Sequence, residues 1–189
     1  MQRTLHQYDA VIGRCQELFY KKTQDYGTAW RILRPSSLTD QLYIKAKRIR
    51  QIETTGTQRV ADPVAEEYVG LINYSLMAIL QLRLTAADPL ELAPQRALEL
   101  YCEQVAVTRQ LMIDKNSDYG EVWREMRLSS LTDLILQKLL RVKQIEDNAG
   151  QTLVSEGLEA NYRDIVNYAV FALIKLDESN EAAAASVPL

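Results

Sequence analysis

The chain has 189 residues, 47% of them hydrophobic and 25% charged, the balance of an ordinary globular protein. A net charge of −3 and a pI of about 5.3 leave no basic footprint for duplex nucleic acid or an anionic membrane surface. His6 is the only histidine, and Cys15 and Cys102 are the only cysteines. That argues against a Ser-His-Asp triad, a Cys-His dyad and a multi-histidine zinc site, so any chemistry must run on carboxylates, Lys, Arg, Tyr and an added metal ion.

From the N-terminus, Leu5, Tyr8, Ile12, Cys15, Leu18 and Phe19 recur at helical spacing and predict an amphipathic helix over residues 5–24. Gly27 can end it in a left-handed conformation. Trp30, Ile32 and Leu33 follow in a short helical or irregular piece that Pro35 is expected to stop. Ser37-Leu38-Thr39-Asp40 reads as a capping box opening a second helix, which runs to about Glu53. A polar loop, 54–62, leads to Pro63 and a third helix reaching about Leu84. Residues 85–94 hold two prolines and form a short, stiff linker.

The same plan then returns. Lys22 to Glu53 matches Lys115 to Glu146 without a gap, at a constant offset of 93 (Asp118 against Asp25), with more than half of the positions identical. A helix is predicted over 95–117, stopped by Gly120; a second runs from Ser130 to about Asp147, and a third over 156–177. The third helices match at an offset of 94, so that Tyr68, Asn73 and Tyr74 correspond to Tyr162, Asn167 and Tyr168. No strand pattern is visible. The expected fold is all-α, two pseudo-symmetric three-helix repeats packed into one six-helix bundle, with repeat 1 at 1–84, repeat 2 at 95–178 and a disordered tail at 179–189. The polar N-terminus, and the lack of any apolar run of about 18 residues, point to a cytoplasmic protein with no membrane span.

Three groups of residues could carry function. In the second helix, Leu38, Leu42, Lys45, Ile49 and Ile52 share one stripe, and the second copy reads Leu131, Ile135, Lys138, Val142 and Ile145. Both copies place a lysine where leucine would be cheapest, with Arg48 and Arg141 one turn on. A buried cation needs an anion, which is either a protein carboxylate or a ligand phosphate; alternatively the lysine stem packs and the ammonium reaches water. In the third helix, Glu66 and Asn73 intrude on the apolar face, as do Glu159, Asp164 and Asn167 in copy two. Acids at such spacing can hold Mg²⁺, or can pair with the cations of the second helix. The third group is K-x-x-D-Y-G-x-x-W, at Lys22, Asp25, Tyr26, Gly27 and Trp30, and again at Lys115, Asp118, Tyr119, Gly120 and Trp123. It is either a glycine-capped helix end with a tryptophan anchor, or a loop mouth where Asp and Tyr hydrogen-bond a ligand and an aromatic face stacks a base.

Taken together, DYGxxW, the SSLTD segment, K-x-x-R and the third-helix N-Y resemble the nucleotide modification associated domain family of the first type, in two tandem copies covering nearly the whole chain. The resemblance implies a link to nucleotide metabolism or modified bases. A more distant likeness is to the MazG-type all-α pyrophosphohydrolases, which hold Mg²⁺ on helical ExxE and ExxD carboxylates; here copy two offers DxxN (Asp164, Asn167) and copy one only Gly70 and Asn73. The resulting expectation is a nucleotide-handling protein, monomer or homodimer, that acts on a free nucleotide. Lys45, Arg48, Lys138 and Arg141 would meet the phosphates. Asp25, Tyr26, Trp30, Asp118, Tyr119, Trp123, Asn73 and Asn167 would bind the remainder. If it is an enzyme, Asp164 and Glu159 would act in Mg²⁺-assisted phosphoanhydride hydrolysis, with Asp164, Asn167, Glu159 and Glu66 as metal ligands. The alternative is a non-catalytic helical module that binds a nucleotide or a protein.

Overall fold

Glycine stops the first helix of each copy. In the computed structural model, which describes residues 1–185, α1 (Gln2–Tyr26) ends at Gly27 with φ 67°, and the Gly27 N–H bonds back to the Thr23 carbonyl at 2.9 Å. Gly120, also at φ 67°, ends α4 (Pro94–Tyr119). A positive φ of this kind strains any residue with a Cβ, which is why the D-Y-G motif recurs. Short 3-10 turns follow, Ala29–Ile32 and Val122–Arg124. The remaining helices are α2 (Pro35–Thr55), α3 (Val64–Arg83), α5 (Leu128–Asp147) and α6 (Leu158–Ala185). The fold is all-α, with three main helices from each copy, and no strand occurs among the described residues.

Two local expectations are corrected. Pro35 does more than stop the piece before it: Arg34 is extended ahead of it, and Pro35 itself opens α2, where at the first helical position its missing N–H is no loss. The helix therefore starts two residues before Ser37, and Ser37–Asp40 makes no side-chain cap. The tail also departs from expectation. Residues 179–185 continue α6, helped by the alanine run Ala182–Ala185, the residue with the best helix propensity. Residues 186–189 lie outside the described residues.

The two copies share one core. A single cluster of buried apolar side chains draws on all six helices, with Leu38, Leu42, Ala46 and Ile49 of α2 and Leu131, Ile135, Leu139 and Val142 of α5 at 0% exposure. Each leucine or isoleucine so buried contributes about 1.5–3 kcal/mol relative to exposure. α2 packs on α3 of its own copy and on α5; α6 packs on α5 and α3; α1 lies against α4 and α6.

Polar bonds cross between copies in matched pairs. Thr39 is fully buried and donates to Glu146 Oε1 at 2.8 Å, leaving the Tyr162 hydroxyl, 2.7 Å away, to donate to it. Thr132 does the same with Glu53 (2.9 Å) and Tyr68 (2.8 Å). Burial raises the carboxyl pKa of both Glu53 and Glu146, against the lowering effect of the threonine hydrogen bonds. Asp40, the acid of the expected cap, pairs instead with Lys143 at 2.6 Å.

Candidate functional site

Four residues spaced by four, Arg14, Leu18, Lys22 and Tyr26, form one stripe along α1. That stripe faces Lys45 of α2 and the face of α3 carrying Glu66, Gly70, Asn73 and Tyr74, with Asp62 at the entry to α3. Together they line a cleft of about 610 Å³, within the usual range of small-molecule sites. Lys45 is the apolar-stripe lysine. Its stem crosses Gly70 so closely that a Cβ there would stand 2.8 Å from Lys45 Cδ and Cε. Its ammonium sits 3.2 Å from Glu67 and 5.7 Å from the centre of the Tyr74 ring. Arg48 also pairs with Glu67 and reaches the Asp62 carbonyl at 2.9 Å, tying the loop before α3 to α2. Lys22 is exposed and makes no ion pair among the described residues.

Copy two arranges the same cations differently. Asp164 stands at the position of Gly70, and Asn161 at that of Glu67. The Asp164 carboxylate bridges two lysines, Oδ1 to Lys115 and Oδ2 to Lys138, each at 2.6 Å. Burial works against the Lys115 ammonium, but the hydrogen bond and charge of Asp164 outweigh it and raise its pKa. Asn161 turns back to the Gly157 carbonyl. Arg141, the partner of Arg48, makes no ion pair among the described residues and lines a recess of about 730 Å³ closed by the 148–157 loop.

The structure brings Lys45, Tyr26, Glu66 and Asn73 to one cleft and places Arg48 beside it. Asp25, Asp118 and Tyr119 are exposed, and Tyr119 sits 74% open at its helix end. The remaining assignments need correction. Trp30 and Trp123 are 8% and 4% exposed and belong to the core. The Trp123 ring is stacked on Phe171 with centroids 4.2 Å apart and carries the Arg124 guanidinium 4.4 Å from its centre, so it offers no platform for a base. Asn73 and Asn167 are fully engaged inside the protein. Asn73 accepts from Tyr101 (2.8 Å) and donates to the Cys15 carbonyl (3.1 Å). Asn167 accepts from Tyr8 (2.9 Å) and donates to the Thr108 carbonyl (3.3 Å). These amides stitch the third helix of one copy to the first helices of both, which is why the intruding polar residue recurs. Burial pushes the Tyr8 and Tyr101 hydroxyls well above the usual phenol range and the Cys15 thiol up to about 12, so all three stay neutral.

The expected metal ligands do not form a set. Asp164 is matched by two lysines. Glu159 is matched by Arg83 and Arg163, and the Arg83 hydrogen bond first, then that of Arg163, holds its carboxyl below the ordinary range despite partial burial. Asn167 is bonded internally, and Glu66 belongs to the other copy's cleft. Among the described residues no group of three or more His, Cys, Asp or Glu is placed to hold a metal ion.

The model of nucleotide modification associated domain 1 matches residues 22–82 and 115–176, well over half of the chain. The chain belongs to the nucleotide modification associated domain 1 family. Each domain copy begins at the lysine of K-x-x-D-Y-G, Lys22 or Lys115, and runs through the K-x-x-R pair to the third helix. No curated protein and no solved structure matches the chain, and the likeness to MazG-type enzymes finds no match. Among the described residues no helix is long and apolar enough to cross a membrane.

Sequence reasoning gave no site role to Lys22, Lys115, Arg14, Tyr74, Glu67 or Gly70. The four-residue spacing on α1 was a usable signal for Arg14 and Lys22. The offset of 94 already set Gly70 against Asp164, but it gave no hint that the Lys45 stem crosses the glycine.

Proposed function

We propose that this protein binds a free cytoplasmic nucleotide in the copy-one cleft. The observation that supports this most is the company Lys45 keeps. An ammonium from the apolar stripe lines a cleft of about 610 Å³ beside a second, unpaired lysine, Lys22, and the rings of Tyr26 and Tyr74. Lysine is a point-charge phosphate binder, and the two tyrosines offer π faces to a base. Nucleotides are also the class of molecule with which the family is associated. Phosphates would approach Lys22 and Lys45, and the ring would lie toward Tyr26 at the rim.

The test is a thermal-shift and calorimetric screen of ribo- and deoxyribonucleotides with and without Mg²⁺. A saturable rise in Tm is expected, with affinity falling tenfold or more in Lys45→Ala. A Tm that no nucleotide moves rejects the reading. Hydrolysis through Asp164 and Glu159 has less support, because each acid is already bonded to two cations. Mg²⁺-dependent pyrophosphate release that Asp164→Ala abolishes would favour it.

A further inference from the structure

The two copies disagree about one anion, and that disagreement locates the ligand's charged group. Lys22 and Lys45 of copy one are the counterparts of Lys115 and Lys138. In copy two these lysines converge on the Asp164 carboxylate, one on each oxygen, at 2.6 Å. The counterpart of Asp164 is Gly70, which has no side chain to supply that anion. Lys45 instead lies folded across the glycine, reaching one turn back to Glu67 at the longer distance of 3.2 Å and sharing it with Arg48. Its side chain is 26% exposed, against 12% for Lys138. Copy one thus keeps both cations of a two-lysine anion site, leaves its centre without a carboxylate, and opens it to a cleft.

From this we infer that copy one holds a single anion site over Gly70, between Lys22 and Lys45, which takes a phosphate group of the nucleotide. Copy two is the same site permanently filled by Asp164, so the chain binds one nucleotide. The inference rests on the nucleotide reading for the identity of the ligand but not for its charge. A two-lysine site matched in copy two by a carboxylate calls for an anionic group, and the neighbouring Tyr26 and Tyr74 decide what is attached to it. The absence of a Cβ at residue 70 is then a functional requirement. It leaves room for the lysine stem when the site is empty and for the anion when it is full.

Isothermal calorimetry of the full chain with inorganic pyrophosphate, and separately with nucleoside triphosphates, tests this. The wild type should bind one equivalent. Gly70→Asp writes the copy-two carboxylate into copy one; the clash it meets is with the flexible end of Lys45, so the fold should survive, and affinity should fall tenfold or more. Lys22→Ala, an exposed change, should weaken binding comparably, whereas Lys115→Ala should leave it unchanged. Asp164→Ala should open the second site and raise the stoichiometry to two. Should that variant fold poorly, the contrast between Lys22→Ala and Lys115→Ala decides the matter alone. Two equivalents in the wild type, undiminished binding by folded Gly70→Asp, or equal effects of the two lysine changes would overturn the inference while leaving nucleotide binding intact. Pyrophosphate binding without nucleotide binding would keep the anion site and reject the nucleotide reading. A wild type that binds neither probe overturns both.

Discussion

The copy-one cleft and its copy-two counterpart start from the same cations and end in different states. In copy one the carboxylate sits at Glu67, shared by Lys45 and Arg48, and Lys22 makes no ion pair among the described residues. In copy two it has moved one helical turn on, to Asp164, where it satisfies Lys115 and Lys138, and Arg141 makes no ion pair among the described residues. The move alters little of the core, since both acids lie on the same face of the third helix, three positions apart in the aligned register. It changes which cation has no ion pair among the described residues: Arg141 at a recess in copy two, and Lys22 at the cleft in copy one. A duplicated unit can thus keep its fold in both halves while its ion pairs are arranged differently.

The contrast can be broken most sharply by removing the two acids. Asp164→Ala leaves Lys138, 12% exposed, without its partner, and breaking so buried a pair is expected to cost about 3 kcal/mol in denaturant unfolding. Glu67→Ala exposes more solvated cations and should cost only about 1–2 kcal/mol. Equal costs would erase the distinction between a filled and an open site.

The amide seams provide the symmetric control. Asn73→Ala and Asn167→Ala each leave a buried tyrosine hydroxyl without its acceptor and remove a second bond to a helix carbonyl, and each should cost about 2 kcal/mol. A marked inequality between them would show that the pseudo-symmetry of the core is only apparent.

The paired glutamates make a pH prediction. Burial raises the pKa of Glu53 and Glu146 in the folded state. The folded state therefore holds these protons more tightly than the unfolded chain does. Their favourable contribution is fully present below the unfolded carboxyl pKa and is lost as pH rises through the raised value. Glu53→Gln with Glu146→Gln keeps an acceptor for each threonine, so it should raise Tm by a few degrees near neutral pH and by little in acid. A Tm difference that does not depend on pH would contradict the assignment.

The smallest expected effect concerns the arginines. Arg48→Ala loosens the loop before α3 and should cost about 1 kcal/mol, while Arg141→Ala, with no ion pair to lose, should leave stability unchanged within error. Reversed effects would assign the structural role to the wrong copy.

Much of this protein was legible before any coordinates. Hydrophobic periodicity and the internal repeat determined six helices, their order, and the glycine stops at Gly27 and Gly120, because spacing along a helix and the left-handed φ are properties of short segments. The same comparison singled out Lys45 and Lys138 as cations on an apolar stripe. Only the tertiary structure decided what those cations meet. It made Thr39 and Thr132 bonds between the copies and Asn73 and Asn167 seams of the core. It also buried both tryptophans, placed Lys115 and Lys138 on the two oxygens of Asp164, and laid the Lys45 stem across Gly70. Each of those outcomes depends on which helix of the other copy lies alongside, at distances of a few ångströms, and residue spacing within one segment carries no information about that.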